Sequence, residues 1–441
     1  MRIAIVGFDR QGRSALDYWG PGNEITICDR NPDIQVPPNV ETRLGEHYLD
    51  NLEQFQLIIR TPGLHPKDIV AANNEHILKK VTTVTEEFFR NCPAPIIGVT
   101  GTKGKGTTST LISKILEAAG KRVHLGGNIG IPPLELLKNN IQPSDYVVLE
   151  LANYQLIDLH VSPAIAICLM VVPEHLDWHT DLREYVVSKQ NLFRYQNDDN
   201  LAVFNRLNDL SGEVVNVSPA LKVSYEVPAE SEQPQERHGA YVANDAIYYD
   251  DTRICTTDDV ALLGHHNLEN ACAAIAAVWG IIDGDVEGII NVLKTFKGLP
   301  HRLELVRELN GISYYDDSFG TTPDSTIVAI KAIPEPKVLL LGGSDKGAAY
   351  TELAQAVKNS NVHTVISIGL TGPAIAKDLK EAGFTNIVEG GSDILQIVQT
   401  AQQYAKPGDA VLLSTACASF DMFKNYVERG EKFTAAVQAL A

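Results

Sequence analysis

Apolar residues in this chain come in short runs set between amphipathic stretches, and the alternation repeats along its length. Arg2-Ile3-Ala4-Ile5-Val6-Gly7-Phe8, Glu24-Ile25-Thr26-Ile27-Cys28-Asp29 and Gln56-Leu57-Ile58-Ile59-Arg60-Thr61 read as buried strands. A short helix is expected from Gln11 to Trp19. The strand character returns at Ile96–Val99, Arg122–Leu125, Tyr146–Leu151 and Ala164–Val172. Leu182–Tyr195 and an Ala-rich stretch from Gly264 to Trp279 read as helices. In the last third, strands are expected at Ile312–Asp316, Lys337–Leu341, Thr364–Ile368 and Ala410–Ser414, with helices between. Such alternation predicts parallel, doubly wound α/β sheets. Residues 207–262 break the rhythm, being more polar and turn-rich. They predict a peripheral β excursion with a mobile tip at Gln233–His238.

A chain of 441 residues is too long for one core. The pattern divides it into roughly 1–92, 93–298 and 299–441, with Gly298-Leu299-Pro300 as a hinge. The expected architecture is α/β in three domains: a Rossmann-like N-terminal domain, a central P-loop-type ATPase domain and a C-terminal doubly wound domain. A formal net charge of −18 disfavours nucleic acid or an anionic membrane as partner. No window reads as a transmembrane helix. The apolar run at the start is short and passes into a polar glycine turn, unlike a signal peptide, so the cytoplasm is the expected location. The six cysteines include no CxxC pair and mostly lie in apolar runs. That argues against zinc and disulfides and for buried thiols.

The chemistry centres on Ile96-Ile97-Gly98-Val99-Thr100-Gly101-Thr102-Lys103-Gly104-Lys105-Gly106-Thr107-Thr108. Strand, glycine loop with lysine, then helix is how a chain cradles a polyphosphate: backbone N–H groups and the helix N-terminus face the anion. Lys105 would reach the outer phosphates, and Thr107 or Thr108 would bind Mg²⁺. Gly98 to Lys105 is one residue longer than GxxxxGK[ST] allows, and Gly106 stands where Ser or Thr is usual. Glu150 lies in the apolar run Tyr146–Leu151, where a carboxylate is costly unless paired or metal-bound. At the carboxyl end of the first strand, Gly7-Phe8-Asp9-Arg10-Gln11-Gly12 sits where open α/β sheets hold nucleotides, without the middle glycine of GxGxxG. Asp29 ends the second strand, suited to a ribose or uracil, and Thr61-Pro62-Gly63 ends the third. A plain βα turn is the competing reading of all three.

More motifs follow in order. They are Gly126-Gly127-Asn128-Ile129-Gly130, Leu149-Glu150-Leu151-Ala152-Asn153-Tyr154-Gln155, Glu174-His175-Leu176-Asp177 with Lys189, and His266-Asn267-Leu268-Glu269-Asn270. Beyond them come Gly298-Leu299-Pro300-His301-Arg302, Tyr315-Asp316-Asp317-Ser318 with Thr321, Gly342-Gly343-Ser344-Asp345-Lys346, and Ala416-Cys417-Ala418-Ser419-Phe420-Asp421 with Tyr426 and Arg429-Gly430. In kind and order they resemble the Mur ligases over the whole chain. The resemblance implies a monomer whose first domain holds UDP, whose second holds ATP and Mg²⁺, and whose third holds the incoming amino acid. ATP would drive amide formation through an acyl phosphate, adding D-glutamate to UDP-N-acetylmuramoyl-L-alanine.

The same resemblance implies residue roles. Gly101, Thr102, Lys103, Gly104, Lys105, Gly106, Thr107 and Thr108 would bind ATP, with Asn267, Asn270, Arg302 and Asp317. Thr107 and Glu150 would hold one Mg²⁺, and His175 and Lys189 the second. A lysine ammonium cannot ligate a metal, and the family's matching lysine is carbamylated, which is the expectation for Lys189. Lys105, His175, Lys189 and Arg302 would serve catalysis. Arg10, Gln11, Asp29, Arg30, Gly63 and Asn128 would hold the UDP-linked substrate. Thr321, Lys346, Ser419, Phe420 and Tyr426 would hold the amino acid. The chain departs from the family pattern at Lys103 (usually Asn), at Gly106, at Arg10-Gln11 (usually Leu-Thr) and at Phe319, where a lysine is frequent. A Mur-type ligase for another amino acid and a folylpolyglutamate-synthase-like ligase are the alternatives within the fold. A nucleotide-binding module without catalysis is the alternative outside it, against which the full set Lys105, Glu150, His175 and Lys189 argues.

Overall fold

A computed structural model describes residues 1–128, 130–229 and 232–441. Ile129 of the Gly126–Gly130 turn, and Glu230 and Ser231 of the peripheral excursion, lie outside the described residues. Among the described residues the strands form three sheets.

The first sheet comprises β1 (Arg2–Val6), β2 (Glu24–Asp29), β3 (Glu41–Leu44), β4 (Leu57–Arg60) and β5 (Val81–Thr83), all parallel, in the order β3-β2-β1-β4-β5. The second holds β6 (Ile96–Thr100), β7 (Val123–Gly127), β8 (Tyr146–Glu150), β9 (Ile165–Cys168), β10 (Leu201–Asn205), β11 (Leu221–Glu226), β12 (Ala240–Ala243), β13 (Ala246–Tyr249) and β14 (Thr252–Thr256). Its order is β14-β13-β12-β11-β10-β9-β6-β8-β7. The expected excursion is therefore the edge of this sheet. β11 and β12 continue the parallel run, and β12–β14 fold back antiparallel. Asn244 and Asp245, both with positive φ, make the two-residue turn between β12 and β13, as a hairpin's right-handed twist favours.

One apolar core runs from the first sheet into the second, from Ile3, Ile5 and Phe8 to Ile96, Val147 and Leu149. Arg60, fully buried at the end of β4, ties them polarly as well. Its guanidinium donates to both carboxylate oxygens of Asp158, each at 2.6 Å, and to the carbonyls of Thr61, Leu64 and Tyr154. A buried cation with this many acceptors is compensated rather than stranded.

The third sheet comprises β15 (Glu304–Leu309), β16 (Ile312–Asp316), β17 (Lys337–Leu341), β18 (Val362–Ile368), β19 (Ile387–Gly391) and β20 (Ala410–Leu413). The order is β15-β16-β20-β17-β18-β19, with only β15 antiparallel. The chain forms two compact units. One is Met1–Asp259 with Leu268–Lys294, and the other is Val260–Asn267 with Thr295–Ala441. All six cysteines are free, and all but Cys92 are buried. No helix among the described residues is long and apolar enough to cross a membrane.

Candidate active site

β6 is wholly buried, and its end carries the phosphate loop into a helix, Lys105–Ala118. The helix starts at Lys105, directly after Gly104, and takes Gly106 into its first turn. Gly104 has φ +86°, and a Cβ there would lie 2.2 Å from Asn270 Oδ1, so only glycine fits. Lys105 Nζ donates to the carbonyls of Gly101 (3.1 Å) and Thr102 (3.0 Å), folding its charge over the loop. Thr108 Oγ1 donates to Asn270 Oδ1 at 3.1 Å. Lys103 forms an ion pair with Glu174.

Glu150 ends β8 and is buried. One carboxylate oxygen accepts from Asn128 Nδ2 at 2.8 Å. The other, Oε2, has no hydrogen-bond partner among the described residues. A buried, half-satisfied carboxylate beside a phosphate loop fits a cation ligand, since leaving it bare would cost a few kcal/mol. His175 takes a left-handed backbone, φ +58°, with its imidazole 3.5 Å from Glu174 and against the Tyr154 ring. Burial lowers its basicity, with Glu174 opposing.

Lys189 lies on the helix Leu182–Arg194 and is fully buried. Its Nζ is 3.2 Å from the Gly101 carbonyl and 4.3 Å from the centre of the Tyr185 ring. Burial, reinforced by the nearby charge of Lys105, brings its pKa down to about 7. Neutral amine is therefore plentiful at neutral pH. Tyr185, which sequence reasoning did not single out, fixes this helix to the loop: its hydroxyl is 2.8 Å from Thr102 Oγ1, which in turn bonds the Val172 backbone.

A cavity of about 550 Å³ opens at the carboxyl ends of the first sheet. Arg10, Gln11, Asp29, Arg30, Gly63 and Asn128 all line it. Asp29 spends one oxygen on the Phe8 N–H (2.7 Å) and the other on Asn31 N–H (2.8 Å). It therefore shapes the first βα turn as well as facing the cavity. Asn128 joins the two places: it lines the cavity and holds Glu150.

In the second compact unit, Asp316 Oδ2 lies 2.7 Å from His301 Nδ1. Asp317 accepts from Ser414 Oγ (2.7 Å) and the Leu303 N–H, yet burial still pushes its pKa up to about 7. The Arg302 guanidinium stacks 3.6 Å over the Phe319 ring, which meets Tyr426 edge-on. Arg429, buried, donates to Ser318 Oγ, the Ser318 carbonyl and the Cys417 carbonyl, joining the loop after β16 to the loop after β20. Gly343 lets the loop after β17 meet that same β20 loop, since a Cβ there would lie 2.2 Å from the Ala418 carbonyl oxygen. Lys346 is exposed, its ammonium 5.9 Å from the exposed Phe420 ring; Ser419 is buried and Thr321 half-buried. Asn267 and Asn270 share the helix His265–Val278, but Asn267 belongs to the second unit and Asn270 to the first.

A glycine-rich loop between strand and helix, a buried carboxylate beside it and a cavity at the carboxyl ends of the first sheet fit a nucleotide-dependent ligase, and comparison with known proteins narrows this. The family described as Mur ligase middle domain matches residues 99–278, and that described as Mur ligase, glutamate ligase domain, matches 301–417. The chain belongs to the Mur ligase family. It is similar to the UDP-N-acetylmuramoylalanine–D-glutamate ligase of Acetivibrio thermocellus, 37% identical over 100% of this chain and 96% of the relative. The ligase of that name from Clostridium kluyveri is 35% identical over 98% and 95%. Among solved structures, the fold is that of the UDP-N-acetylmuramate–alanine ligase of Thermotoga maritima (TM-score 0.62, 16% identical, covering 100% and 99%). It is also that of the MurF ligase of Thermotoga maritima in complex with ADP (TM-score 0.60, 17% identical, covering 99% and 95%).

Proposed function

We propose that this chain joins D-glutamate to UDP-N-acetylmuramoyl-L-alanine at the expense of ATP, in the cytoplasm, during synthesis of peptidoglycan precursors. One observation carries the reading. Glu150 stands with an unpartnered oxygen beside the phosphate loop and is held by Asn128, a wall residue of the nucleotide cavity. A UDP-sugar in that cavity thus has a path for its carboxylate toward the outer phosphate of ATP. The names of the relatives support the choice of substrates.

In the first step a carboxylate oxygen of the UDP-linked substrate attacks the γ-phosphorus, the bond to ADP breaks, and an acyl phosphate forms. In the second the neutral amine nitrogen of the amino acid attacks the acyl carbon, the bond from that carbon to the phosphate oxygen breaks, phosphate leaves, and the nitrogen gives up a proton to solvent. Lys105 neutralises charge on the moving phosphoryl group. Thr107 and Glu150 would hold one Mg²⁺. His175 and a carbamylated Lys189 would hold the other. Bound there, the two ions supply the positive charge that lets one anion approach another. Neutral Lys189 amine and CO₂ give the carbamate with loss of one proton. Asn267, Asn270, Arg302 and Asp317 serve the nucleotide; Thr321, Lys346, Ser419, Phe420 and Tyr426 serve the amino acid. The working domains are 1–92 for the UDP substrate, 93–298 for ATP and 299–441 for the amino acid, in a monomer.

The test is phosphate release from ATP and Mg²⁺ with UDP-N-acetylmuramoyl-L-alanine across a panel of D- and L-amino acids. Release with D-glutamate alone is the expected result. Release with another amino acid would favour the second reading, a sister ligase whose preference is set at Phe319, where the family's frequent lysine is replaced. No release with any would sink the proposal.

A further inference from the structure

Side chains from two distant parts of the sequence converge on Glu184. His65 Nε2 lies 3.2 Å from Glu184 Oε2, and His179 Nδ1 lies 3.1 Å from the same oxygen. The Thr180 N–H also donates to it, at 2.8 Å. Both histidines are buried. The three ligand-type atoms are close enough to hold a metal ion. The hydrogen bonds oppose that use. His65 caps the helix Pro66–Ala72, its Nδ1 accepting from the Lys67 N–H at 3.1 Å. That ring nitrogen carries a lone pair, so Nε2 carries the proton and donates. A metal on Nε2 would push the proton to Nδ1, against the Lys67 N–H. His179 is arranged alike: Nε2 meets Asn153 Nδ2 at 2.8 Å, leaving Nδ1–H to donate to Glu184. The cluster is a clasp in which one carboxylate oxygen gathers three donors.

The clasp bridges specific elements. His65 follows Gly63, a cavity-wall residue whose carbonyl accepts from Trp178 Nε1 at 3.3 Å. The His65 and Trp178 rings lie 4.4 Å apart. The loop between Pro173 and Thr180 begins at the Lys103–Glu174 ion pair of the phosphate loop, carries His175, and ends at His179. Glu184 sits in the first turn of the helix that also carries Tyr185 and Lys189.

We infer that His65 is a positioning residue. By clasping Glu184 it ties the wall of the nucleotide cavity to the loop bearing His175 and the helix bearing Lys189, so that filling the cavity firms the phosphate-loop site. By linkage, ATP must then tighten the UDP-sugar by the same factor. The inference rests on the proposed UDP-sugar occupant of the cavity.

The experiment is titration calorimetry of the full chain with UDP-N-acetylmuramoyl-L-alanine, with and without a non-hydrolysable ATP analogue and Mg²⁺. In the unaltered chain the analogue should lower Kd about tenfold, within the usual range for coupled sites. His65→Asn keeps a helix-capping side chain but is too short for Glu184. It should cut the effect to about twofold or less while leaving Kd without the analogue within about threefold. Glu184→Ala, which removes the clasp from the other side, should do the same, and the double variant should lose no more than either single. Full coupling in either folded variant, or losses that add in the double, would overturn the inference. Absence of coupling in the unaltered chain would overturn it and leave the ligase reading intact. Absence of UDP-sugar binding in the unaltered chain would overturn both.

Discussion

Lys189 is a residue whose chemistry the fold alters strongly, and its alteration can be measured. Burial takes its pKa from 10.5 to about 7, which at 1.36 kcal/mol per pH unit is about 5 kcal/mol against the ammonium. An ordinary lysine at pH 7 is neutral in about one molecule in 3000; with a pKa of about 7 half the amines are neutral, an enrichment on the order of 10³. This is the form that reacts with CO₂. At fixed dissolved CO₂, carbamate should therefore climb as pH rises from 6 to 8, seen by ¹³C NMR after labelling with ¹³CO₂ and absent in Lys189→Ala. Turnover should follow the carbamate, fall in CO₂-depleted buffer and return with bicarbonate, which should not rescue Lys189→Ala. Stability moves with the same sign. Between pH 7 and 10.5 the unfolded chain holds a proton that the folded one has shed, so stability rises with pH across that window. Lys189→Met removes the dependence, and in CO₂-free buffer its melting advantage over the unaltered chain should shrink by about 2 kcal/mol from pH 7 to pH 9. No labelled carbamate at pH 8, together with a pH-independent gap, would refute the reasoning.

Gly104→Ala should abolish ATP binding, because the new Cβ meets Asn270 at 2.2 Å in a left-handed turn; calorimetry with the ATP analogue checks it. Arg60→Met strips Asp158 of its partner and should destabilise by about 3–5 kcal/mol, seen as a lower melting temperature, with Arg60→Met/Asp158→Leu recovering part of the loss. Lys346→Ala should raise KM for the amino acid about tenfold or more with kcat nearly unchanged, as loss of a binding cation does. An unchanged KM would remove Lys346 from the amino-acid site.

The parts legible in the sequence were those whose information is local. Glu24–Asp29, Ile312–Asp316 and Lys337–Leu341 are strands over the residues their apolar runs mark. The phosphate loop is legible because strand, glycines and helix adjoin in the chain. The six residues expected to hold the UDP-linked substrate all line one cavity, since each lies at or just beyond the end of a strand or opens the helix Arg10–Trp19 there. What escaped is non-local. Arg60 and Asp158 are 98 positions apart, and His65 and Glu184 are 119 apart, so no spacing announces them. Tyr185 carries no motif of its own, and its hydroxyl matters only because Thr102 folds against it. The polar stretch 207–262 read as an excursion because its strands are short and set between turns; Tyr241, Ile247 and Ile254 are buried all the same, through pairing across the ladder rather than through one long apolar run.

The segment Val260–Asn267 belongs by its packing to the unit that otherwise begins at Thr295, although Leu268–Lys294 intervenes and belongs to the other. Such a unit is not a continuous stretch of gene. A single crossover between relatives near the start of the last unit would carry Thr295–Ala441 across and strand Val260–Asn267 with the donor's counterpart. The two units would thus be inherited together, and change in either would arise by point substitution within a lineage more readily than by exchange of an intact module.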